Sequence, residues 1–154
     1  EVYYEEEQPF DQAWLWGLMG VETIIVLLPM ILMKVGLPII ALAAAVMLVT
    51  LVLMAMLKLR TRIDDEGVHF RMHVVHWKEQ TIPWSEIEQI YVREYSPIAE
   101  YGGWGIRYGA QGRAYNVRGK FGIQIVKKNG KRVLVGTQHP DEVAIALRKH
   151  PLLV

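Results

Sequence analysis

Residues 13–33 read AWLWGLMGVETIIVLLPMILM and residues 37–57 read LPIIALAAAVMLVTLVLMAML, with only Lys34, Val35 and Gly36 between them. Each run matches the roughly 20 residues a helix needs to cross about 30 Å of hydrocarbon. The second contains no charged residue. The connection Lys34-Val35-Gly36-Leu37-Pro38 holds a charge, a helix terminator and a residue tolerated in the first turn of a new helix, which together predict a tight reversal. A two-helix transmembrane hairpin over residues 13–57 follows. A cleaved signal peptide would instead place basic residues before an apolar core of about 7–15 residues. Here residues 1–12 form an acidic segment carrying Glu5, Glu6, Glu7 and Asp11.

Short cytoplasmic segments carry the Lys/Arg excess of a membrane protein. Lys58, Arg60 and Arg62 follow the second span, against the single Lys34 at the hairpin tip, so both termini are expected in the cytoplasm. Trp14 and Trp16 mark the same interface, where an indole buries its ring and keeps its N–H wet. Glu22 falls near the middle of the first span, where an ionisable group costs at least a few kcal/mol. Folding the hairpin back at residues 35–36 brings Glu22 to the depth of Val49 and Thr50, and the Thr50 hydroxyl is the nearest partner in the chain. Glu22 is either a polar contact, within the hairpin or to another membrane subunit, or a proton or ion site.

The whole chain has 154 residues, 52% of them hydrophobic, and a formal net charge of +1. That length leaves room for one compact unit beside the hairpin. The near-zero charge argues against nucleic acid as a partner. The lack of cysteine removes disulfides, thiolate nucleophiles and cysteine metal sites.

From residue 58 to residue 154 short β-prone runs alternate with turn residues, which predicts a mostly-β domain. Strands are expected at 60–63, 68–75, 79–82 and 90–95, with a turn or helical start at 83–86 and a loop at 97–103. Two hairpins follow, 104–108 with 113–117 and 122–127 with 132–137, the second closed by Asn129-Gly130. Residues 140–149 place Asp141 and Glu142 first, apolar Val143, Ala144, Ala146 and Leu147 next, and Arg148 and Lys149 last. This is a short amphipathic helix with charges suited to its dipole.

Strands closed by one C-terminal helix suggest a pleckstrin-homology-like (PH-like) open barrel. Asp65-Glu66-Gly67-Val68, the run Thr81-Ile82-Pro83-Trp84-Ser85-Glu86-Ile87, and Val133-Leu134-Val135-Gly136-Thr137 before the Asp141 helix carry a resemblance over nearly the whole chain. The chain resembles bacterial membrane proteins in which a transmembrane hairpin precedes a PH-like domain. The resemblance implies a multi-pass protein of the bacterial inner membrane and a non-enzymatic module.

Among candidate sites, Gly102-Gly103-Trp104-Gly105 frees the backbone and displays a large amphipathic ring. It is either a partner or lipid contact or a bulge with Trp104 packed inside. Arg107, Arg113, Arg118, Lys120, Lys127, Lys128, Lys131 and Arg132 lie on the expected hairpins and form either an anion-attracting rim or solvated strand faces. His69, His73 and His76 are the one compact set of metal-ligand types, but on a strand His76 points away from the other two, and zinc needs three or four converging ligands. No metal, cofactor or catalytic site is assigned. The expected function is a membrane-anchored adaptor or accessory subunit whose β-domain binds protein or a lipid headgroup, in contact with the bilayer and with other membrane subunits or further copies of itself. The alternative is an oligomeric ion or proton conductor built around Glu22.

Overall fold

The computed structural model describes residues 1–149, and the chain divides into two units, Phe10–Met56 and a second made of Glu1–Pro9 with the chain from Leu57 onward. Residues 150–154, which the sequence assigns to the β-domain, lie outside the described residues.

The first unit is the helical hairpin, α1 (Ala13–Leu32) and α2 (Leu37–Ala55). Neither helix buries a single residue, and both are long and apolar enough to cross a membrane. A helix apolar on all sides calls for an apolar surrounding. The reversal is the expected one. Lys34 takes a left-handed conformation (φ 54°), the Val35 N–H closes onto the Met30 carbonyl at 3.0 Å, and Pro38 sits in the first turn of α2.

The second unit contains two sheets. The first has the order β1-β2-β3-β4, with β1 (Val2–Pro9), β2 (Lys58–Asp64), β3 (Gly67–Met72) and β4 (Gln80–Pro83), all antiparallel. The acidic segment expected at residues 1–12 therefore supplies a strand. The hairpin does not precede the β-domain but interrupts it: the chain leaves the sheet at Pro9 and re-enters at Lys58, its register partner. Outward residues of β1 and β2 form ion pairs, Glu7 with Lys58 at 2.9 Å and Glu5 with Arg60. Such exposed pairs add less than about 1 kcal/mol each, and both run diagonally, since the residues directly opposite Glu5 and Glu7 are Arg62 and Arg60.

The second sheet has the order β5-β8-β9-β7-β6, with β5 (Ile87–Glu94), β6 (Gly105–Gly109), β7 (Gly112–Asn116), β8 (Phe121–Lys127) and β9 (Arg132–Thr137). Its β7 and β9 run parallel, Arg113 opposite Val133. The second unit is thus a β-rich domain of two sheets with a C-terminal helix, as expected at that level, and neither sheet closes into a barrel. The expected loop at 97–103 contains a helix, α3 (Pro97–Tyr101), with Ser96 as its cap, Pro97 in its first turn and Gly102 in the left-handed conformation (φ 72°) that ends it.

Helix α4 (Pro140–Arg148) buries Val143, Ala146 and Leu147 and packs against β1, β5 and β8. The core takes Leu59, Ile63, Val68, Phe70 and Met72 from the first sheet and Ile123, Ile125, Leu134 and Val135 from the second. The buried side of β1 is unusual because Tyr4, Glu6 and Gln8 face inward. Both carboxyl oxygens of Glu6 are used: one accepts from the Tyr4 hydroxyl (2.6 Å) and the Thr137 hydroxyl (2.8 Å), the other from the Gln138 N–H (2.9 Å). Gln8 donates to the Gly136 carbonyl at 2.7 Å and accepts from the Gln138 amide at 3.1 Å. This polar latch joins the strand that enters the hairpin to the end of β9.

Candidate anion-binding cleft

A cleft of about 930 Å³ opens between the two sheets. Its one wall is the outer end of β3 and β4, with Phe70, Gln80 and Ile82. The other is built by two turns, residues 109–112 between β6 and β7 and residues 130–132 leading into β9, whose register is locked by the parallel pairing of Arg113 with Val133. Gly112 is required there. It has φ +103°, and a Cβ on it would lie 2.3 Å from the Arg132 carbonyl oxygen.

Four cations line this space, Arg113, Lys127, Lys131 and Arg132, and no carboxyl or imidazole group does. Lys127 is held by Glu86 at 2.9 Å. The other three form no ion pair with a carboxylate among the described residues. Arg113 lies 4.6 Å over the Tyr108 ring and donates to the Tyr115 hydroxyl at 3.0 Å, while Arg132 donates to the Gln111 side chain at 2.7 Å. Stacking and neutral hydrogen bonds orient the guanidinium groups without cancelling their charge. Tyr115, buried, packs at a tilt against Phe70, with ring centroids 4.7 Å apart, and against His76 at 5.5 Å. Burial pushes the His76 ring below its ordinary value, and the charges of Arg113 and Arg71 add to that shift. The site can therefore take an anionic group with aromatic flanks.

Of the residues predicted as contacts, Arg113 alone lines the cleft, joined by Lys127, Lys131 and Arg132 from the broader basic set. Arg107 is exposed and donates to the Trp104 carbonyl at 2.8 Å. Lys120 pairs with Glu94 at 2.7 Å. The Arg118 carbonyl accepts from Gln138 at 2.9 Å in the loop between β7 and β8. Trp104 is half-buried and donates its indole N–H to the Gly119 carbonyl at 3.1 Å, so its ring is anchored in the domain; Gly102 is exposed beside it and Gly103 is buried. The preceding α3 is braced from β5 by Arg93, which grips Glu100 with two hydrogen bonds at 3.2 and 2.7 Å.

The three histidines do not converge. His69 is buried in β3 and spends both ring nitrogens, one on Asp64 at 2.8 Å and one on Thr81 at 2.9 Å. Among the described residues only Asp64, Glu66 and His69 bring metal-ligand atoms within 4.8 Å of one another. The same Asp64 oxygen already accepts the Glu66 N–H (2.9 Å) in the turn between β2 and β3, which assigns this group to the turn.

In the hairpin, Glu22 and Thr50 are both exposed. The Thr50 hydroxyl donates to the Val46 carbonyl of its own helix at 2.9 Å, and no hydrogen bond between Glu22 and Thr50 is present among the described residues.

Comparison with protein-family models, with curated proteins and with solved structures found no match.

Proposed function

We propose that the chain is a membrane-anchored adaptor whose β-domain holds the phosphate of an anionic lipid headgroup in the cleft between its sheets. The observation that carries this reading is the convergence of Arg113, Lys131 and Arg132 on one cleft with no facing carboxylate. A headgroup is favoured over a soluble anion because the domain is tethered to apolar helices at the end of β1 and the start of β2. Both hairpin ends leave from paired strand ends, which supports a β-domain on one side of the bilayer, and the basic residues near the spans favour the cytoplasmic side. Each well-placed cation contributes about 1 kcal/mol near an anionic surface.

Native mass spectrometry of the full chain released from nanodiscs tests this. From discs containing anionic phospholipid the protein is expected to retain lipid. From neutral phosphatidylcholine discs, and in the Arg113→Ala/Arg132→Ala variant, it is expected to retain none above background. Equal retention of neutral and anionic lipid would refute it.

Glu22 supports the accessory-subunit side of the reading. It is exposed at mid-helix and has no hydrogen bond from the described residues, so a polar group of another membrane subunit would satisfy it in hydrocarbon.

A further inference from the structure

The segment that follows β3 was expected to continue as strand to residue 75, yet β3 stops at Met72. Val74 takes φ +75°, a costly conformation for a β-branched residue. The turn it makes is held firmly from inside. The His76 N–H donates to the Met72 carbonyl at 2.9 Å, the His76 ring accepts from the Met72 N–H at 3.3 Å, and Arg71 donates to the His76 carbonyl at 3.2 Å. What this braced turn presents outward is apolar: Trp77 is 94% exposed, and Val74 and Val75 are about half exposed. Lys78 follows.

The place of this turn is fixed by a hydrogen bond from the His73 N–H to the Lys58 carbonyl, 2.8 Å. Lys58 is the residue at which the chain returns from the hairpin, and only Met56 and Leu57 separate it from the end of α2. Three steps of chain keep Lys58 within about 11 Å of that end, and the headgroup layer outside the hydrocarbon is itself roughly 5–8 Å deep on each side. The turn also reaches the cleft, because the His76 ring packs on Tyr115 and Tyr115 accepts from Arg113.

We infer that Val74, Val75 and Trp77 form a second membrane contact, a wedge inserted into the phospholipid interface beside the point where the chain leaves the bilayer. Trp favours this depth because its ring is buried while its N–H stays hydrated, and a flanking lysine meets the headgroups. This inference rests on the reading of α1 and α2 as membrane spans.

The chain has no cysteine, so single cysteines can carry a nitroxide label at chosen depths. Three full-length variants are needed, Val75→Cys in the turn, Asn129→Cys in the exposed turn between β8 and β9, and Leu48→Cys within α2, each in nanodiscs of phosphatidylcholine alone and with anionic lipid. Accessibility to oxygen, which partitions into lipid, is compared with accessibility to a water-soluble nickel complex. At Val75→Cys the ratio is expected to rise several-fold above that at Asn129→Cys in both lipid mixtures, and to fall back when Trp77→Ser is added. A ratio at position 75 equal to that at 129, while position 48 reads hydrocarbon, overturns the wedge and leaves the spans standing. A watery reading at position 48 overturns the spans, and the wedge with them. Insertion confined to anionic discs would show attraction by charge alone and would also overturn the wedge.

Discussion

Glu6 is the most informative single residue in the β-domain, because an inward-facing acid holds three donors that have few alternatives. In Glu6→Ala the Tyr4 and Thr137 hydroxyls, 3.2 Å apart, can still bond each other, which leaves one hydroxyl hydrogen and the Gln138 N–H without acceptors. Each stranded donor costs about 1–3 kcal/mol, and bonds to a charged acceptor lie toward the upper end. Removing a buried acid that faces only neutral donors returns part of that loss. The net destabilisation is expected at about 2–4 kcal/mol, a large share of the 5–15 kcal/mol typical of a domain. Glu6→Gln keeps one acceptor oxygen but turns an amide N–H₂ toward donors, so it should cost about half as much. Urea unfolding of the full chain in detergent micelles measures both variants. Hydrogen exchange then locates the effect, with amides of β1 and the end of β9 losing protection first. A Glu6→Ala protein within about 0.5 kcal/mol of the parent, or a Gln variant worse than Ala, would refute the latch.

Three further outcomes follow from other parts of the molecule. His76 has its ring held below its ordinary value of 6.5, first by burial. The unfolded chain therefore binds the proton more readily, and stability present above pH 6.5 is lost as the pH falls through the folded value. His76→Gln should remove the portion of the acid sensitivity that lies above the carboxylate range, read from melting temperature against pH. Gly112→Ala sets a Cβ 2.3 Å from the Arg132 carbonyl oxygen at a left-handed φ; a loss of roughly 2–3 kcal/mol in a denaturant titration is expected from strain plus displacement of the parallel pair. Glu22→Gln keeps hydrogen bonding but no charge, so an accessory subunit should still co-purify with its membrane partner and show no proton flux in liposomes before or after substitution. A flux that Glu22 supports and Gln abolishes would favour the conductor instead.

Much of the architecture was legible because it is local. The two apolar helices are written in long apolar runs, the first carrying Glu22 as its one charged residue, and the strands from β2 onward in short β-prone segments with Asn-Gly and Asp-rich turns. β1 was not legible, since its inward positions are Tyr4, Glu6 and Gln8 rather than an apolar alternation, and its partner β2 lies across the whole hairpin. The helix α3 did leave a signal, Ser96-Pro97 with Glu100 behind it, which the neighbouring glycines concealed. Val74 and Val75 read as strand by their side chains, although the hydrogen bonds of His76 and Arg71 turn the chain there. The basic residues were visible as a set, but their sorting depends on the parallel register of β7 and β9. That register gathers Arg113, Lys131 and Arg132 in one cleft, while Lys120 is taken up by Glu94. The anchoring of Trp104 on Gly119 likewise depends on a loop that no periodicity announces.

The measurement that bears most directly on the adaptor reading is a nuclear magnetic resonance titration of the full chain in neutral detergent with glycerol 3-phosphate, a soluble phosphomonoester that mimics a headgroup without its lipid tails. Amide shifts are expected at residues 109–113 and 130–133, with an affinity that weakens with added salt. In Arg113→Ala/Arg132→Ala the affinity should fall by roughly 30-fold, the equivalent of about 2 kcal/mol for two cations. Shifts scattered over the surface, or binding unchanged in the double variant, would contradict the assignment of this cleft as the site where the domain takes hold of its ligand.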